Sequence, residues 1–164
     1  MSKFDFESIH RELPEQLLQK TVIWIWNADK IPPHIGISIG KDYYSLTYRK
    51  SEHLLTASML KKAKRSAIPL VLVEIPMEVI QTDAASTFAK YDRAVNGITC
   101  LQPIREVMGL EGEVSQLANL LSYLESEKLI LQVNGLNLPE NYTGIPDYSM
   151  EEILERIKSL NEFN

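Results

Sequence analysis

Between positions 21 and 49 the apolar residues recur with the period of β-strands. Thr21–Trp26 is rich in β-branched and aromatic residues, which favours a strand. A loop over 27–33 leads to His34–Gly40, and a turn at Gly40 then leads to a strand over Tyr43–Arg49, so the last two segments are predicted to form a hairpin. Alternation assigns two faces to the first hairpin strand, with Ile35, Ile37 and Ile39 on one and His34, Gly36 and Ser38 on the other.

Patterns of helical period surround these strands. They predict helices over Pro14–Lys20, Ser51–Arg65, part of 77–91, Glu113–Glu125, and from Ser149 to about Leu160. Further strands are predicted over Pro69–Ile75, which reads as buried on both faces, and over Leu129–Val133, followed by a loop over 134–147. Because strands and helices are segregated along the chain, the predicted fold class is α+β, with a small antiparallel or mixed sheet covered by helices.

The length and composition fit one globular domain over 1–164. The helices predicted from Glu113 onward give it a helical C-terminal part over 113–164. With 17 basic and 22 acidic residues, the net charge of −5 makes nucleic acid an unlikely partner. The cations Lys61, Lys62, Lys64 and Arg65 are interpreted as a solvated helix C-terminus, with an anion-binding patch as the alternative.

Compartment and cofactor can also be predicted from composition. A single cysteine cannot form an internal disulfide, and no apolar stretch approaches the roughly 20 residues that span a bilayer. With no apolar signal core in 1–15, the expected location is the cytoplasm. The scattered histidines and lone cysteine show no zinc-ligand spacing, so neither a metal nor a cofactor is expected.

Cys100 is the first candidate for chemistry, because a helix is predicted to start within about three residues of it. Thr99 fits a capping box with Gln102, and in the alternative register Gln102 caps a helix that starts at Pro103. A cysteine near a helix start can be held as a nucleophilic thiolate, although a buried structural cysteine is the alternative. His34 is the candidate base, since it begins a strand after the rigid Pro32-Pro33 corner.

A third polar group would orient the imidazole. Ser45 on the next predicted strand and Glu74, the lone acid of an apolar strand, are the candidates, and neither stands out by pattern. His10 and His53 are expected on solvated helices and are weaker candidates for the base.

The candidate residues occur along the chain in the order His strand, further strands, Cys helix. The two segments that carry them are Pro33-His34-Ile35-Gly36-Ile37 and Thr99-Cys100-Leu101-Gln102-Pro103-Ile104. This order resembles the circularly permuted branch of the NlpC/P60 papain-like superfamily, over roughly residues 31–108. The resemblance implies that 31–108 is the catalytic core, with a papain-like arrangement, a Cys100 nucleophile and a His34 base acting on amide or ester bonds. The expected partner is then a small peptide, amide or acyl substrate. A non-catalytic binding or adaptor protein, with a protein partner, is the alternative.

Overall fold

A computed structural model describes residues 3–110, 112 and 114–162 of the chain. The strands in this part are β1 (Phe4–Asp5), β2 (Thr21–Trp26), β3 (His34–Ile39), β4 (Asp42–Leu46), β5 (Ser51–Leu55), β6 (Leu70–Ile75), β7 (Gln132–Leu136) and β8 (Gly144–Ile145). The α-helices are α1 (Thr56–Arg65), α2 (Ala84–Ala89), α3 (Leu101–Val107), α4 (Leu117–Ser126) and α5 (Met150–Glu162). Short 3-10 turns cover Leu17–Gln19 and Met77–Val79.

The central element is a six-stranded sheet with the order β5-β4-β3-β2-β6-β7, in which every neighbouring pair is antiparallel. The register places Trp26 of β2 opposite His34 of β3 and opposite Leu70 of β6. These residues therefore mark one end of the sheet. The chain is α+β, with β1 and β8 pairing separately from the main sheet.

The two faces of the sheet are covered by different helices. On one face, Trp24, Trp26 and Tyr43 pack with Met59 and Ala63 of α1. On the other face, the side chains are mostly aliphatic and pack with residues of α2, α3, α4 and α5. They are Ile23 and Ile25 of β2, Ile35 and Ile37 of β3, and Val71, Val73 and Ile75 of β6. The face with Trp24, Trp26 and Tyr43 is called the aromatic face, and the opposite one is called the aliphatic face.

Several sequence predictions are confirmed. Strand β2 has the predicted bounds, β3 and β4 form the predicted antiparallel hairpin, and β6 is buried along nearly its whole length. Helix α5 begins at Met150, one residue after the predicted start, and the Glu152 N–H donates to the Ser149 Oγ at 3.1 Å, which is one of the two hydrogen bonds of a capping box. The cations of 61–65 lie at the C-terminal end of α1, with three of them in its last turn.

Other predictions were wrong in detail. Ser51–Leu55 is a strand rather than the first part of a helix, because its backbone completes the hydrogen bonding of β4. His53 is therefore an exposed residue of a strand, where it stacks on Tyr44. The helix predicted over 14–20 is reduced to one 3-10 turn, and the late strand begins at Gln132 and ends at Leu136. Glu113, the predicted start of α4, lies outside the described residues. Within the described part, no helix has the length and apolarity needed to cross a bilayer.

Candidate active site

A cavity of about 450 Å³ lies at the end of the sheet marked by His34. Its wall is formed where the start of β3, the end of β4, the starts of α3 and α4, and one side of α5 meet. Most of the lining side chains are apolar, and the volume lies in the range usual for small-molecule sites. Both Cys100 and His34 border this cavity, so the tertiary structure brings together two residues that are distant in the sequence.

Cys100 directly precedes α3, whose first residue is Leu101. The capping box predicted from Thr99 does not form, although the Gln102 N–H donates to the Thr99 carbonyl oxygen at 3.2 Å. The cysteine keeps partial exposure, and its sulfur lies against the backbone N–H of Ile35. Burial raises the pKa of the Cys100 thiol, and the N–H groups of Ile35 and of Cys100 itself oppose that rise. The resting group is a thiol at neutral pH.

His34 is the first residue of β3 and lies opposite Trp26 in the register. Burial, followed by the positive charge of Lys62, lowers the pKa of His34 to about 4. Lys62 reaches this end of the sheet from α1, with its Nζ 5.4 Å from the centroid of the Trp26 ring. At neutral pH the imidazole is uncharged and can accept a proton.

The two groups do not form an ion pair in this conformation. Within residues 3–110, 112 and 114–162, no hydrogen bond or ion pair links the imidazole to the Cys100 sulfur. Strand alternation turns His34 toward the aromatic face, whereas Cys100 packs with the aliphatic cluster. The sulfur contacts the backbone beside His34, and the cavity borders both residues because it lies around the end of β3.

Neither candidate for the third polar group lines the cavity. The Ser45 hydroxyl donates to Glu52 Oε1 at 3.2 Å, and Ser45 lies opposite Gly36 on the hairpin. Glu74 is ion-paired with Lys20 at 3.2 Å and lies opposite Val22, toward the far end of the sheet from His34. The structure thus gives both residues partners outside the cavity.

Tyr148 and Arg156 border the cavity and were not singled out by sequence analysis. Tyr148 is buried, and its hydroxyl oxygen lies against the N–H of Leu117 at the start of α4. Burial and the neighbouring Cys100 raise the pKa of Tyr148, so its hydroxyl keeps its proton and can donate it in a hydrogen bond. Tyr148 follows a segment that reads as a loop in the sequence, where no periodicity marks a buried side chain.

Within the described ranges, no three His, Cys, Asp or Glu side chains are grouped in a way that could hold a metal ion. Comparison of the chain with protein-family models, with characterised proteins and with solved structures found no match.

Proposed function

We propose that this chain is a papain-like cysteine hydrolase or acyltransferase that acts on amide or ester bonds, with Cys100 as nucleophile and His34 as general base. The observation that carries the proposal is the convergence of these two residues on one cavity, with the Cys100 sulfur at the N–H of the residue that follows His34. The order of His strand and Cys helix, which resembles permuted NlpC/P60 proteins, supports the same roles.

The chemistry starts from a thiol and a neutral imidazole. An imidazole nitrogen takes the thiol proton as sulfur attacks the carbonyl carbon, and the carbonyl electron pair moves to oxygen. Collapse of the tetrahedral intermediate expels the amine or alcohol, which takes the proton from the imidazolium, and leaves a thioester on Cys100. Water or another acceptor then releases the acyl group. The Tyr148 hydroxyl and backbone N–H groups around Cys100 are the available donors for the oxyanion.

The imidazole must move toward the sulfur for this step. Catalytic hydrogen bonds are often long in the free enzyme and shorten when substrate binds, and the cavity provides space beside His34. Because the pKa of His34 is about 4, the imidazole remains a free base down to mildly acidic pH. We therefore expect the rate of general-base-assisted acylation to stay level from neutral pH down toward pH 4 and to fall below it, without an inflection near the usual histidine value.

The test is transfer of an acetyl group from p-nitrophenyl acetate to Cys100, followed by intact-protein mass spectrometry and p-nitrophenol release. Wild-type protein should form a single adduct on Cys100, and Cys100→Ser should form none at that position. His34→Gln should slow acylation by about 10²-fold or more, the usual contribution of a general base. His53→Gln is the matched control, since His53 is exposed on β5 and does not line the cavity.

A non-catalytic binding protein is the second candidate, and the resting electrostatics favour it. Burial raises the pKa of Cys100 and lowers that of His34, which is the reverse of a thiolate–imidazolium pair. If wild type and His34→Gln are acylated at the same rate, and if that rate does not exceed the rate of the unfolded chain at the same thiolate fraction, the catalytic proposal is wrong. The cavity would then serve binding alone.

A further inference from the structure

Besides Cys100 and His34, the cavity combines an apolar wall with one cationic side chain, Arg156. We infer that it binds an apolar, aliphatic molecule that carries a carboxylate or similar anion, with Arg156 as the group that recognises the negative charge. Calling this molecule the substrate rests on the proposed function. The binding itself does not depend on catalysis.

The apolar part of the inference comes from the wall of the cavity. Helix α5 contributes Ile153, Ile157 and Leu160, and Leu101 and Leu117 contribute from the starts of α3 and α4. Burial of apolar surface is the main source of affinity in such a site.

The anionic part comes from Arg156, an exposed cation on the α5 side of the cavity. In the part of the chain that the structure describes, its guanidinium has no ion pair or hydrogen bond with protein. The acidic residues of α5 nearest to Arg156 are Glu155, which directly precedes it, and Glu152, which lies one turn earlier, and neither is in ion-pair contact with it. A planar guanidinium favours carboxylate through two parallel hydrogen bonds.

The helix that carries Arg156 is held by contacts on both sides of this residue. Ile153 is buried in the aliphatic core, one turn before Arg156. Near the other end, the Asn161 side chain donates to the Ala94 carbonyl oxygen at 3.2 Å and accepts from Arg93 Nη1. Ala94 itself lines the cavity, so these contacts hold α5 against the cavity wall. Arg156 therefore lies on a helix that is packed against the rest of the domain.

The experiment measures binding of three probes to the full chain carrying Cys100→Ser, which separates binding from acyl transfer. The probes are decanoate, 1-decanol and decyltrimethylammonium, which share one chain length and differ in charge, and the method is isothermal titration calorimetry. We expect decanoate to bind roughly five- to tenfold more tightly than 1-decanol, and the cation most weakly. Raising the salt concentration to about 0.5 M should reduce the preference for decanoate, because Arg156 is exposed.

Two substitutions on α5 decide the role of the charge. Arg156→Gln should remove the preference for decanoate over 1-decanol and leave 1-decanol binding unchanged. Lys158→Gln is the matched control, because it removes an exposed cation of the same helix that does not line the cavity, and it should change neither affinity. Ile157→Trp should weaken both probes by filling the cavity, and circular dichroism checks that each variant is folded.

The inference is overturned if decanoate and 1-decanol bind equally, if neither binds below millimolar concentration, or if Lys158→Gln has the same effect as Arg156→Gln. Tighter binding of decanoate than of 1-decanol, together with no acetylation of wild-type Cys100 by p-nitrophenyl acetate, would contradict the proposed catalytic function and leave this inference standing. Acetylation of wild-type Cys100 by p-nitrophenyl acetate, together with equal binding of decanoate and 1-decanol, would support the catalytic function and overturn this inference.

Discussion

The two faces of the sheet differ in the side chains that pack on them and in how completely the space is filled. On the aromatic face, large rings fill the space under α1, and their polar atoms are paired: Trp24 Nε1 donates to Ser38 Oγ at 2.8 Å, and Trp26 Nε1 donates to Tyr43 Oη at 2.9 Å. On the aliphatic face, α3, α4 and α5 meet around the end of β3 and leave the cavity. We therefore expect the aromatic face to be the more rigid one, whereas the packing on the aliphatic face leaves a cavity.

The largest expected effect is on the aromatic face. Trp24 is fully buried, stacks on Trp26 at 5.6 Å and meets Tyr43 edge-on at 5.4 Å. Trp24→Ala should lower the free energy of unfolding by about 3–5 kcal/mol, because it removes this packing and leaves a void. Urea unfolding followed by far-ultraviolet circular dichroism measures the change. A loss below about 1 kcal/mol would show that this face is not the rigid one.

The next effect is a dependence on pH at the boundary between the two faces. Burial lowers the pKa of His34 to about 4 in the folded chain, while an unfolded histidine titrates near 6.5. Between these values the unfolded state binds more protons, so stability is full above about pH 6.5 and falls as the pH decreases toward 4. At pH 4.5 the loss from this group should be about 2 kcal/mol.

The measurement for His34 compares urea unfolding at pH 7 and pH 4.5 for wild type and His34→Gln. The variant should lose less stability than wild type over this interval, because it has no imidazole to protonate. His53→Gln is the control, since His53 is exposed on the edge strand. Equal losses in wild type and His34→Gln would show that the imidazole is solvated in the folded protein.

A smaller effect tests whether polar pairing contributes to the rigidity of the aromatic face. Ser38→Ala leaves the buried Trp24 N–H without its partner, which should cost about 1–2 kcal/mol of unfolding free energy. The double variant with Trp24→Phe removes both groups of the pair. In a double-mutant cycle the two substitutions should therefore be less than additive, and strict additivity would mean that the hydrogen bond contributes nothing.

The smallest effect is expected at the cavity wall. Ile157 is only partly buried and lines a space that already exists, so Ile157→Ala should lower the free energy of unfolding by less than about 1 kcal/mol. The same urea titration as for Trp24→Ala gives a direct comparison. A loss as large as that of Trp24→Ala would mean that α5 is an essential part of the core rather than a wall of a binding site.

Much of the sheet could be predicted from sequence, since alternation and β-branched content depend on local geometry. The bounds of β2 and the β3–β4 hairpin are examples. Strand β5 was missed because its residues carry a helical pattern, and only the open edge of β4 explains its extended form. Of the candidate site, Cys100 and His34 were predicted together, while Tyr148 and Arg156 became visible only through the cavity.

The sequence by itself determined which side chains of β3 share a face, because side-chain direction in a strand is fixed by its period of two. It also determined that a helix begins beside Cys100. Only the tertiary structure explains why position 36 requires glycine, since a Cβ there would lie 2.2 Å from the Tyr43 hydroxyl oxygen. It also decided that Cys100 and His34 border one cavity while Ser45 and Glu74 pair elsewhere. Such contacts depend on how distant segments pack, and no local pattern encodes that packing.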